Sequence, residues 1–268
     1  MLKSERPIGI FDSGLGGLTV LKAVRALMPA ERLVYFGDTA RVPYGAKSKS
    51  AVVSFSREIA DFLFAKKIKF LIVACNTASS LALEEIREIS PVPVLGVITP
   101  GVGAALELAP RGGKILVTGT AATVASRAYT RALQAARRDV RVTEKACPLF
   151  VPLVEEGWCS KPLAGLVARE YLAAFRGRKI DALILGCTHY PLLKKLIARV
   201  MGPRVKIVDS ALATARAARL ELSRRGLLNP GRSRGECEFY VSDAPERFSS
   251  LARKLLGLKT GEVGVKRF

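Results

Sequence analysis

Histidine occurs once in these 268 residues, at His189. Cysteine occurs five times, at 75, 147, 159, 187 and 237, with no Cys-x-x-Cys pair among them. An odd, widely spaced set argues against a disulfide framework, and the missing pair spacing removes zinc ribbons and dithiol redox loops. Long apolar runs are missing too: nothing approaches the ~18 residues of a membrane span. Met1-Leu2-Lys3 leads into the short apolar stretch Ile8 to Phe11 without a signal-peptide core. The expectation is a cytoplasmic protein with no metal and no membrane partner.

Acids are scarce, 23 Asp and Glu against 43 Lys and Arg, giving a formal charge of +20. The basic residues are spread through the chain and no nucleic-acid reading module accompanies them. The charge therefore reads as a field that draws in anions, small anionic substrates included, and no dedicated nucleic-acid role is expected. Hydrophobic residues make up 49%, which excludes disordered and fibrous classes. The length suits two α/β units as well as one larger body.

Short β-branched runs alternate with helical patterns, the signature of parallel strands joined by crossover helices. Strands are expected at 8–11, 33–36, 70–74, 94–97, 114–118, 182–185, 205–208 and 238–241. Helices are expected at 17–27, 50–65, 79–89, 126–136, 162–175, 191–200 and 211–225. The Pro/Gly stretch 96–101 and the segment 208–210 are candidate crossings between lobes. They define a discontinuous first lobe, 1–97 with 210–268, and a second lobe, 98–209, with no low-complexity linker between them.

The two halves echo each other. Residues 70–77, FLIVACNT, align without gaps on 182–189, ALILGCTH, at an offset of 112, matching Leu, Ile and Cys. Each stretch follows an earlier strand that ends in small polar residues, Asp12-Ser13-Gly14 in one half and Gly119-Thr120 in the other. Two related halves would each present one cysteine at a strand's carboxyl end, where open α/β sheets place their ligands.

Cys75 and Cys187 thus stand where a buried strand gives way to a polar, Thr-containing turn that opens a helix. Amide N–H groups concentrated there lower a thiol's pKa and cradle carboxylates. Cys147, Cys159 and Cys237 lack that setting and read as small core hydrophobes. A nucleophilic hydrolase would use Cys187 with His189 and leave Cys75 unexplained. Two opposed cysteines suit the removal of a proton from one face of a stereocentre and its return to the other. A thiol's pKa near ~8.5 lets one be thiolate and its partner thiol after modest tuning.

The loops fit a small anionic amino acid. Residues 12–17, DSGLGG, follow a strand and open a helix like an anion cradle, yet lack both G-x-G-x-x-G spacing and a Walker lysine. The leading Asp12 favours an ammonium over a phosphate. Residues 38–45, DTARVPYG, form a Pro/Gly turn able to close over a site or to serve as a plain surface loop.

The ordered stretches 8–20 (IGIFDSGLGGLTV), 36–45 (FGDTARVPYG), 72–78 (IVACNTA), 96–101 (GVITPG), 147–155 (CPLFVPLVE) and 186–191 (GCTHYP) resemble the glutamate racemases of the cofactor-independent amino acid racemase superfamily. The resemblance implies two similar α/β lobes, pseudo-two-fold related, with mainly parallel sheets and a site in the cleft between them. It implies racemisation of glutamate without a cofactor, supplying D-glutamate for peptidoglycan. Cys75 and Cys187 become the acid/base pair, with Asp12 assisting Cys75, His189 assisting Cys187 and Glu155 as an auxiliary. Ser13, Tyr44, Gly45, Asn76, Thr77, Thr120 and Thr188, together with Asp12 and His189, match substrate-pocket positions. Such enzymes are often homodimers, arranged in more than one way, so the interface stays open.

Removing a Cα proton develops charge that spreads into the carboxylate, so preorganised donors around that group should carry most of the stabilisation. Asp12 cannot lower the Cys75 pKa by charge, since like charges oppose it; a proton relay or ammonium partner is the consistent role. The alternatives are an aspartate racemase, disfavoured by His189, a Cys187–His189 hydrolase, and a polyanion-binding protein.

Overall fold

The computed structural model describes residues 2–268. Its ten strands are β1 (Ile8–Asp12), β2 (Leu33–Gly37), β3 (Phe70–Val73), β4 (Val94–Gly96), β5 (Lys114–Gly119), β6 (Arg141–Ala146), β7 (Ala182–Gly186), β8 (Lys206–Val208), β9 (Cys237–Val241) and β10 (Val263–Val265). They form two sheets, ordered β10-β9-β2-β1-β3-β4 and β6-β5-β7-β8, and every pairing is parallel. Helices join the strands and flank both sheets.

The internal echo is also topological. The order β2-β1-β3-β4 recurs as β6-β5-β7-β8, so β1 corresponds to β5 and β3 to β7. In each four-strand unit the chain crosses first to one side of the founding strand and then to the other. That reversal opens a crevice at the carboxyl ends of β1 and β3 in one sheet and of β5 and β7 in the other.

Why the central strands read as unbroken apolar runs follows from burial on both faces. Ile8 and Ile10 join one hydrophobic cluster while Phe11 joins another, and Phe70 and Ile72 alternate likewise with Leu71 and Val73. In the second sheet Leu183 and Leu185 face one cluster, Ala182 and Ile184 the other. Truncating a side chain such as Ile72 to Ala should cost roughly 2–5 kcal/mol.

Three helices and two strands escape the sequence pattern. β6 is an edge strand with alternating exposure and charged residues, so it lacks the apolar run of its neighbours. β10, three residues long, sits at the opposite edge. Helix Ile98–Leu108 begins in the Pro/Gly stretch read as a crossing; Pro100 falls in its first turn, where a missing N–H costs nothing. Helices Phe150–Glu155 and Pro245–Leu256 complete the set. The helix expected at 79–89 is broken at Ala82 and starts earlier, at Asn76. That at 126–136 is preceded by Ala121–Ser126, with Arg127 left-handed between them. Among the described residues no helix is long and apolar enough to cross a membrane.

Candidate active site

The two crevices face each other and close on a tight cavity of about 10 Å³ lined by residues of both sheets. From the first sheet's side come Ser13, Tyr44, Gly45, Cys75, Asn76 and Thr77. From the second come Thr120, Cys187, Thr188 and His189. Asp12 and Glu155 stand behind this wall. Asp12, fully buried, accepts from the Gly14 N–H at 3.1 Å and from the Thr188 hydroxyl at 3.0 Å, which ties β1 to the turn after β7. Glu155 reaches the site through His189 and also lines an adjoining cavity of about 370 Å³.

Cys75 caps the helix Asn76–Leu81: its sulfur accepts from the Ala78 N–H at 3.5 Å, and its thiol donates to Ser13 Oγ at 3.7 Å. Burial pushes this thiol up to about 12, and the Asp12 charge pushes the same way, against the Ala78 amide and Ser13. Cys75 is therefore a neutral thiol at neutral pH, a proton donor.

Cys187 has a different partner. Its Sγ lies 3.7 Å from His189 Nδ1, and His189 Nε2 lies 2.6 Å from Glu155 Oε1. Burial works to lower the imidazole's pKa, but its bonds to Cys187 and Glu155 prevail and hold it well above its ordinary value. Burial likewise works to raise Glu155, while His189 and the Leu15 amide hold it below the usual carboxylate range. Cys187 faces an imidazole that is itself clamped by a carboxylate, a partner Cys75 lacks. The two sulfurs, similar in sequence, thus sit in chemically unequal settings.

Between them the wall is rich in hydrogen-bonding groups. Thr77 Oγ1 lies 2.9 Å from Thr120 Oγ1 and 3.2 Å from Thr123 Oγ1, joining the two sheets' loops. Asn76 accepts from the Tyr129 hydroxyl at 2.6 Å, and its buried amide nitrogen has no partner among the described residues. An unpaired buried donor beside the cavity is costly unless a ligand's oxygen accepts from it. The Tyr44 hydroxyl donates to buried Asp38, which also receives Arg41 at 2.7 Å and Ser242 at 2.7 Å, so the 38–45 turn is pinned to the first sheet.

Some of these residues carry no isolated sequence signal. Thr123 and Tyr129 act through contacts distant in sequence, to Thr77 and Asn76; only the Thr120-x-x-Thr123 capping spacing hints at one of them. Pro43 and Val151 add apolar wall. Cys147 is buried in the second sheet's core, while Cys159 and Cys237 are half-buried outside the cavity lining. Among the described residues no group of three or more His, Cys, Asp or Glu could hold a metal ion.

Two α/β halves thus close on one cavity that both Cys75 and Cys187 line, an architecture shared with known racemases. The model of the Asp/Glu/Hydantoin racemase family matches residues 18–218. The chain belongs to that family. It is 48% identical over 263 residues to the glutamate racemase of Chlorobaculum tepidum, covering 98% of this chain and 96% of that one. Among solved structures, glutamate racemase from Francisella tularensis in complex with D-glutamate superposes with a TM-score of 0.91 at 39% identity, covering 98% of each chain. That from Thermus thermophilus in complex with β-chloro-D-alanine gives 0.88 at 48% identity, covering 99% of this chain and 98% of that one.

Proposed function

We propose that this chain is an isomerase that interconverts L- and D-glutamate without a cofactor, supplying D-glutamate for peptidoglycan, with Cys75 and Cys187 as the two bases. The observation that carries the reading is that two thiols, one from each sheet, line a single small cavity with different partners, Ser13 for Cys75 and His189 for Cys187. In one direction the Cys187 thiolate takes the Cα proton and becomes a thiol, while Cys75 delivers its proton to the opposite face and becomes a thiolate. The reverse direction exchanges the roles. Negative charge spreading into the substrate carboxylate would meet the free Asn76 amide and the hydroxyls of Thr77, Thr120 and Thr188, donors that need no reorganisation.

His189, bonded to Glu155, would hold the Cys187 side ready as base, and Asp12 suits an ammonium or a proton relay. Ser13, Tyr44 and Gly45 would complete the substrate pocket. The division of strands between the two sheets supports lobes of 1–97 with 210–268 and of 98–209. The family resemblance implies a cytoplasmic enzyme and allows a homodimer. The series Cys187–His189–Glu155 by itself would also suit a hydrolase, but that reading gives Cys75 no task.

Incubation with L-glutamate in deuterated buffer, following optical rotation and Cα deuteration, tests the reading. Cys75→Ala and Cys187→Ala should each abolish racemisation. Racemisation retained in either variant would overturn the two-base assignment, and turnover of aspartate without glutamate would move the chain to the aspartate branch.

A further inference from the structure

The strongest concentration of unpaired charge lies away from the cavity. Helices Pro162–Leu172 and Lys194–Met201 pack together and border a groove of about 980 Å³ lined by Lys161, Arg169, Arg176, Lys194, Lys195 and Arg199. All six are exposed, and no Asp or Glu lines the groove. Among the described residues none of the six forms an ion pair. Arg176 also lines an adjoining groove of about 730 Å³ that adds Lys179 and Arg204; its one acid, Asp181, accepts from the Lys114 N–H at 2.8 Å.

Six cations held near one another without counter-charges repel, so the arrangement favours an anion that neutralises several at once. We infer that this track binds the phosphate backbone of a nucleic-acid duplex. Two concavities joined through Arg176 match a linear polyanion better than a compact one, and concave walls do not match a flat membrane. An acidic protein partner would want aromatic anchors. No aromatic side chain lines the larger groove and Phe175 alone lines the smaller, too few for a stacking platform, which also disfavours single strands held by base stacking. Recognition would be of backbone charge, without base readout. The site is separate from the catalytic cavity and does not depend on the racemase reading.

Binding of a short fluorescent DNA duplex, measured by anisotropy across a salt series, tests the proposal. If all six cations meet phosphates, the slope of log K against log salt is about −5, and affinity falls on the order of 10³-fold between about 50 and about 200 mM salt. Lys194→Gln with Lys195→Gln should flatten the slope by about 2, at roughly 0.9 for each phosphate left without its cation. Arg216→Gln with Arg219→Gln removes the same charge from the exposed face of helix Ser210–Arg224 and should leave the slope unchanged. Equal flattening in both pairs overturns the site in favour of a diffuse field. Absence of duplex binding at about 50 mM salt, where backbone contacts of this number are strong, overturns it outright. Displacement of the duplex by tripolyphosphate at equal charge concentration overturns it in favour of a compact-anion site. Racemisation assayed on the same samples should be unchanged in both variants, which separates failure of this proposal from failure of the catalytic one.

Discussion

The Tyr129 hydroxyl donates to Asn76 Oδ1 across 2.6 Å, and Tyr129 itself is fully buried. This bond spans the two halves: Tyr129 belongs to helix Ala128–Ala136, which follows β5, whereas Asn76 follows Cys75. With its oxygen committed, the Asn76 amide can offer only N–H, and that N–H is unpaired. Under the proposed function Tyr129 would be a positioning residue that fixes which end of the amide faces the substrate.

Tyr129→Phe keeps the ring and its packing but frees the amide to turn. One positioning hydrogen bond carries about 1 kcal/mol, so kcat/KM for glutamate should fall roughly five-fold. The loss should lie mainly in kcat, because the donor meets charge that develops during proton abstraction. Steady-state kinetics in both directions check this; an unchanged kcat would remove Tyr129 from the site.

The His189–Glu155 pair makes a prediction about pH and stability. His189 has a folded pKa above its ordinary 6.5, so its contribution is complete below about that pH and is lost as pH rises through the folded value. Glu155 has a folded pKa below its ordinary 4.5, so its contribution is complete above that pH and is lost as pH falls through the folded value. Both are therefore complete between these two ordinary values. Melting temperatures of wild type and Glu155→Gln, measured across pH, should differ most in that window and converge on either side. A gap that widens steadily towards alkaline pH contradicts the pairing.

Asp12 raises the Cys75 pKa by charge. Asp12→Asn removes that charge and keeps one acceptor oxygen, for either the Gly14 N–H or the Thr188 hydroxyl, which bond different oxygens of the parent carboxylate. The Cys75 thiol, pushed up to about 12 in the parent, should then titrate at lower pH. Thiolate absorbance followed in Cys187→Ala and in Asp12→Asn/Cys187→Ala isolates the effect. Racemisation should nevertheless fall, because a thiol that ionises more readily does not replace a lost relay or ammonium partner. An upward or absent shift would show that burial alone sets the Cys75 proton.

Much of this architecture is visible in the chain because both sheets bury their central strands on two faces. β1, β3, β5 and β7 announce themselves as short apolar runs, and the polar residues that end them locate the crevice. Asp12, Cys75, Thr120 and Cys187 stand out for that reason: each marks an abrupt change from apolar to polar at a strand end. β6 does not, since an edge strand with one solvated face carries charges such as Arg141 and Lys145. Helix Ile98–Leu108 hides behind Pro100 and Gly101, residues that signal a break but are tolerated in a first turn. Tyr129 is illegible for another reason, because it matters only through Asn76, brought near by folding.

Gly45 gives the sharpest steric prediction. A Cβ at that position would lie 2.4 Å from Thr120 Cβ and 2.6 Å from its Cγ2. Neither atom can step aside without shifting the Thr120 cap, whose hydroxyl accepts from the Thr123 N–H at 3.2 Å and meets Thr77 at 2.9 Å. Gly45→Ala therefore wedges the 38–45 turn away from the loop after β5 and opens the cavity where the two halves meet. Overpacking of this kind costs roughly 1–3 kcal/mol. Because the strain falls on the closed arrangement, it should appear as weaker binding of glutamate, roughly five- to 150-fold if the whole cost is charged to closure. A melting temperature measured without ligand should move little, since an open arrangement relieves the clash. Calorimetric titration with D-glutamate, paired with thermal melts of the free protein, separates the two effects. Undiminished affinity would mean that the halves need not approach this closely to hold the substrate.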